Sequence, residues 1–183
     1  MISRTCLALV LAGSLTALAQ APRKIDAAKS SIRFVTKQMN VPVEGQFRKF
    51  DASVAFDPAK PEATQAEFEV ELGSIDLGNA EGETEAKRKL WFNVEAFPKA
   101  KFVASSVKQV APGKYEAAGA LTIKGTTRNI VVPFTLADAA GTRTVEGQFP
   151  LKRLQYKIGE GQWSDTDTVA DEVLVRFRFV IPR

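Results

Sequence analysis

Apolar and polar residues alternate with a period of two along most of this chain. In AEFEVEL, Ala66, Phe68, Val70 and Leu72 share one parity and three glutamates take the other. Ile130, Val132, Phe134 and Leu136 do the same in NIVVPFTL, as do Val145, Gly147, Phe149 and Leu151 in VEGQFPL. The run EVLVRFRFVI sets Val173, Val175, Phe177, Phe179 and Ile181 against Arg176 and Arg178. Ile32 with Phe34, Val54 with Phe56, and the series Tyr115, Ala117, Gly119, Leu121 and Ile123 continue the theme. Such alternation marks strands with one buried face. The turn-forming stretches DPAKPE, APGK, KGTT, DAAGT and IGEGQ separate the runs. The pattern predicts an all-β domain of about eight strands. Strands with a single apolar face must bury it on another sheet or on themselves, and about eight close a barrel able to hold a small ligand. Periodicity does not distinguish a barrel filled by its own side chains from one with room for a ligand.

One stretch breaks the alternation. NAEGETEAKRKLWF, residues 79–92, carries Glu81, Glu83 and Glu85 early and Lys87, Arg88 and Lys89 late. That order complements a helix dipole, and Glu83–Lys87 and Glu85–Lys89 have the spacing of i,i+4 pairs. Basic residues beside aromatics also occur in nucleic-acid grooves. Here the glutamates cancel the charge locally, which a phosphate-binding groove would avoid. The basic cluster therefore reads as the solvated face of a short helix. Its apolar end, Leu90, Trp91 and Phe92, must still be buried somewhere.

Composition narrows the chemistry. The 183 residues, 45% hydrophobic and 25% charged, suit one domain with a sizeable core. A net charge of +4, spread along the chain, is too small and too mixed for a polyanion-binding stripe. The opening MISRTCLALVLAGSLTALAQAP has a basic start at Arg4, an apolar run too short to span a bilayer, and small residues at Ala17 and Ala19. It predicts a signal peptide over 1–19 and one exported domain over 20–183; cleavage after Ala21 also fits the small-residue rule. The single cysteine, Cys6, lies in the predicted signal, and the chain has no histidine. Ser-His-Asp and Cys-His machinery and histidine zinc sites are thereby excluded, and the commonest general base is missing. The expectation is a protein that is not an enzyme and carries no cofactor or metal. DTDTVADE gathers Asp165, Asp167, Asp171 and Glu172 without the spacing or glycine of an EF-hand, and reads as a solvated loop.

Five blocks, in order, resemble a known family. IDAAKSSIRFV is similar to its first strand, and EGQFRKFDASVAFDP to its second segment through Gly45, Phe47 and Phe50. SIDLGNAEGETEAKRKLWFNVEAFPKAKFVASS resembles its most distinctive block through Ser74, Ile75, Asp76, Gly78, Leu90, Phe92, Phe97, Pro98 and Phe102. GALTIKGTTRNIVVPF carries a Leu-Thr-Ile-x-Gly signature, and the last segment matches through Arg153 and Glu172-Val173. The chain thus resembles the YceI-like family, the periplasmic polyisoprenoid-binding proteins of bacteria, from about Ile25 to about Ile181.

The resemblance implies a lipocalin-like antiparallel β-barrel with a short helix near its mouth. It further implies a periplasmic carrier or sequestering protein for an isoprenoid, an isoprenoid quinone or a similar amphiphile. Phe34, Phe47, Phe68, Val70, Leu72, Ile75, Phe102, Leu121, Ile123, Val132, Phe134, Phe149, Val175 and Phe177 are the expected lining. Leu90, Trp91, Phe92 and Phe97 are the expected lid, and Arg88, Lys124 and Arg153 the expected head-group contacts. The expected partner is a lipid, without nucleic acid or stable membrane insertion; a homodimer is left open. The alternative is a secreted stress-response or interaction protein that works through its surface or a dimer interface, its barrel filled and free of lipid.

Overall fold

The computed structural model describes residues 22–57, 59–139 and 141–182. The expected signal peptide lies outside them. Eleven strands form one antiparallel sheet: β1 (Arg23–Lys24), β2 (Ser31–Gln38), β3 (Val41–Phe47), β4 (Phe50–Ala55), β5 (Gln65–Glu71), β6 (Ile75–Asp76), β7 (Lys99–Ala111), β8 (Lys114–Ile123), β9 (Thr126–Ala139), β10 (Thr142–Lys152) and β11 (Glu172–Pro182). Their order in the sheet is β1-β4-β5-β7-β8-β9-β10-β11-β2-β3-β6. The row curls until its flanks meet. Phe68 of β5 stacks on Phe179 of β11 with ring centroids 4.8 Å apart, and Phe50 of β4 lies 6.2 Å from the same ring. Just after β1, the Asp26 amide donates to the Val180 carbonyl of β11. The lipocalin-like antiparallel barrel is therefore the observed fold.

The residues that share a parity in the sequence share the inner face. Two of the two-residue turns between strands, Met39–Asn40 and Lys124–Gly125, have positive φ at both positions (48°, 63°, 47° and 71°). That is the backbone whose twist matches the flanking strands. Three inner-face glycines sit beneath phenylalanine rings. A Cβ would run into the Phe34 ring at Gly45, and would come within 2.6 Å of the Phe102 ring at Gly119 and 2.5 Å of the Phe177 ring at Gly147. Glycine there lets the ring lie flat on the neighbouring strand, so the wall curves without crowding the interior.

The strand count exceeds the expected eight for physical reasons. β1 and β6 have two residues each and carry no period. β3 contains Pro42 and Gly45, which interrupt an apolar pattern. In β7 the register with β8 shifts between Ala104 and Ser106. That bulge moves the buried parity from Ala100 to Val107 and erases the alternation.

The helix is shorter than expected. α1 spans Ala80–Lys87. The Asn79 side chain caps it by accepting from Gly82 N at 2.7 Å, and Glu83 Oε1 accepts from the Leu77 amide at 3.2 Å. Beyond Lys87 the chain winds into turns, with Phe92 N donating to Ala86 O and Asn93 at φ 50°. Lys89 thus never stands one turn above Glu85, and the ion pair forms between Glu85 and Arg88 instead, at 3.0 Å. Among the described residues, no helix is long and apolar enough to cross a membrane.

Candidate functional site

Two apolar clusters occupy the two ends of the barrel. Ile25, Val54, Phe56, Val107, Tyr115 and Ile181 belong to one, and Leu72, Leu121, Ile123, Leu151, Tyr156 and Ile158 to the other. A cavity of about 810 Å³ runs between them. This falls in the upper part of the range for ligand pockets, roughly 300–1,000 Å³. Inner-face aromatics along its length, among them Phe34, Phe47, Phe68, Phe102, Phe149 and Phe177, are only half-buried. Their uncovered surface faces the cavity. The barrel is therefore not filled by its own side chains. At the helix end Gln38, Asn79, Glu81, Thr84 and Arg88 line the cavity and are exposed, which makes this end the opening. At the other end Val54, Phe56, Thr64, Val107 and Ile181 line it and are buried, which makes that end closed.

The structure brings most of the expected lining together. Phe34, Phe47, Phe68, Val70, Leu72, Ile75, Phe102, Leu121, Ile123, Val132, Phe134, Phe149, Val175 and Phe177 all border the cavity, as do Trp91 and Phe92 below the helix. Leu90 and Phe97 do not. Leu90 is 38% exposed, and its carbonyl accepts from Gly159 N and Glu160 N, both at 2.9 Å. It ties two loops together from outside. Phe97 packs under the turn at Gly125, where an added Cβ would lie 2.8 Å from its ring.

The expected head-group cations part company. Arg88 lines the opening, exposed and paired with Glu85. Lys124 faces away from the cavity at 7% exposure, because its ammonium donates to Lys157 O at 2.6 Å and to Glu160 at 3.0 Å. Arg153 borders the cavity but is 2% exposed and has no donor to spare. Its five N–H groups match five backbone carbonyls: Ala170, Ile158, Gly159, Trp163 and Val169, at 2.7–3.0 Å. Burial pushes its pKa below the ordinary value and the nearby Asp171 carboxylate opposes that shift. Its guanidinium also lies 5.7 Å from the centre of the Trp91 ring. Arg153 is the post around which segment 153–170 is wound.

Trp163 and Arg143 are among the lining residues that sequence reasoning missed. Trp163 stands at the opening, its ring 5.5 Å from that of Trp91 and its indole N–H donating to Glu85 Oε1 at 3.1 Å. It sits in a short turn, where no period exposes it. Arg143 lines the closed end. Its parity was a usable signal, since it matches Val145, Gly147 and Phe149. Two lining residues also carry a buried polar atom with no hydrogen-bond partner among the described residues: Trp91 Nε1 on the opening side and Thr64 Oγ1 at the closed end. The described residues contain no group of acidic, histidine or cysteine side chains arranged to hold a metal.

Comparisons with known proteins agree on the architecture. BcnA of Burkholderia cenocepacia is 42% identical and superposes with a TM-score of 0.83, covering 85% of this chain and 98% of that one. The YCEI protein of Campylobacter jejuni is 20% identical with a TM-score of 0.71, over 77% and 85% of the two chains. A polyisoprenoid binding domain from Saccharophagus degradans, implicated in plant cell wall breakdown, is 14% identical with a TM-score of 0.72, over 89% and 99%. A UPF0312 protein of Pseudomonas savastanoi pv. phaseolicola is 33% identical over 93 residues, 51% of this chain and 48% of that protein. The chain spans about half the length of the curated relatives it matches. The YceI-like domain model matches residues 24–181, and with that span covered the chain belongs to the YceI-like family.

Proposed function

We propose that this protein carries or sequesters one long apolar chain, an isoprenoid or similar amphiphile, inside its barrel, and catalyses no reaction on it. The observation behind the reading is the cavity itself: about 810 Å³, closed at one end, walled by phenylalanine and aliphatic side chains. Burial of apolar surface is worth roughly 25 cal/mol per Å², so a long chain has ample drive to leave water, less the cost of ordering it. The polar end of the ligand sits at the helix side, beside Arg88. The polyisoprenoid-binding description of one structural neighbour supports the ligand class. The N-terminal sequence supports a periplasmic site of action.

Both tryptophans of the chain border the opening. A brominated long-chain lipid is therefore expected to quench their fluorescence saturably at one lipid per protein. Native mass spectrometry of protein exported by its own N-terminal segment should show a bound lipid mass. No quenching by brominated isoprenoid or fatty acid, together with a clean apo mass, would sink the carrier reading.

A further inference from the structure

The closed end of the cavity holds polar groups for which a methyl-ended chain has no use. Arg143 lines it from β10, its side chain 13% exposed. Of its five N–H donors, those on Nε and one on Nη2 go to the Asp138 carboxylate at 2.9 and 3.2 Å, and one on Nη1 goes to the Phe56 carbonyl at 3.1 Å. One N–H on each Nη is left without an acceptor among the described residues. Because Asp138 already balances the charge, these donors suit a neutral oxygen better than an anion.

Thr64 stands at the same end. The ladder between β4 and β5 pairs Val54 with Ala66 and Ala55 with Gln65. Its continuation sets Phe56, the carbonyl partner of Arg143, opposite Thr64. Thr64 is 8% exposed, and its hydroxyl is shielded from water without a hydrogen-bond partner among the described residues. Valine would fill the same volume without leaving a dry hydroxyl. The apolar residues that line the same end, Val54, Phe56, Val107 and Ile181, carry no side-chain acceptor.

We infer that the closed end is a second recognition pole, which selects chains whose leading end bears a neutral oxygen, a hydroxyl or a carbonyl. Arg143 donates to that oxygen, and a turn of the Thr64 side chain about its Cα–Cβ bond brings the hydroxyl round to complete its hydrogen bonding. This rests on the carrier reading and adds a demand on the ligand: polar chemistry at both ends.

Hexadecanoic acid and 16-hydroxyhexadecanoic acid differ only at the end that would reach this pole, and calorimetric titration compares them. The wild-type protein is expected to bind the hydroxy acid about tenfold more tightly, as one hydrogen bond to a charged donor allows. Thr64→Val is expected to bring the ratio to about one while hexadecanoic acid binds as before. Arg143→Lys, which keeps a cation for Asp138 but loses the fork of donors, should do the same. Thr64→Val conserves volume, so it decides the matter if the arginine variant fails to fold. Equal or weaker binding of the hydroxy acid by wild type, or a preference that survives in Thr64→Val, overturns the inference alone. Failure of both acids to bind overturns the carrier reading and this inference with it.

Discussion

Arg153 shows how a residue can look like a ligand contact and serve the scaffold instead. A cation at the edge of an apolar cavity invites a head group, yet every donor of this one is taken by the backbone of its own loop. Carbonyl dipoles and the Trp91 ring, rather than a carboxylate in hydrogen-bond contact, stabilise the charge. Lysine cannot reproduce this, because three donors on one point cannot reach five carbonyls. Arg153→Lys should cost about 3 kcal/mol or more, since buried carbonyls lose their partners. For a chain of this size that is a drop of roughly 6–12 °C in melting temperature. Thermal unfolding measures it, and an unchanged melting temperature would show that the loop holds itself. The side chain adds nothing that a ligand could use, so lipid affinity at low temperature should change far less than stability.

At the scale of elements, legibility followed the period. β5, β8, β9, β10 and β11 were readable because each keeps one parity over its length, and the same parity named most of the cavity wall. β7 was not readable, because its bulge turns the alternation over in mid-strand. The helix was over-read by a turn: charge order fits any sequence of acids followed by bases, but the helix stops where Ala86 is already buried and Phe92 folds back on its carbonyl. Lys124 and Phe97 belong to one such irregular place. The tight turn Lys124–Gly125 buries the lysine beside Glu160 and the phenylalanine beneath the glycine. Turn-borne side chains have no parity, so the alternation does not tell which way they point. Trp163 was missed for the same reason.

The whole molecule has an unusual titration. With no histidine, no side chain has its ordinary pKa between pH 5 and 8. Hydrogen-bonded acids carry the pH dependence instead. Lys24 beside Asp51, Lys29 beside Asp26, Lys99 beside Glu69, the Gln46 amide on Asp76 and the Thr168 hydroxyl on Asp165 all lower the carboxyl below its ordinary value. A carboxyl whose pKa is lower in the folded chain adds stability above its unfolded value, here 3.8 for aspartate and 4.5 for glutamate, and that stability is lost as pH falls through the folded values. Melting temperature should therefore be flat from about pH 5.5 to 8 and decline below about pH 4. Calorimetry across that range checks it. A midpoint near pH 6.5 would point to a buried carboxyl with a strongly raised pKa and would contradict this account.

The hollow interior also sets how the protein answers to compression. Native states give way under hydrostatic pressure in proportion to the internal space that unfolding abolishes, with volume decreases of roughly 20–100 mL/mol. A barrel with about 810 Å³ between its end clusters has such space to lose. A guest that occupies this space removes part of the volume change as well as adding contacts. Loading with a long-chain lipid should thus raise the unfolding pressure and also shrink the pressure dependence of stability, two effects that surface binding would not produce together. High-pressure fluorescence of the two tryptophans would read both. If the slope with pressure is the same with and without lipid, the guest lies outside the barrel.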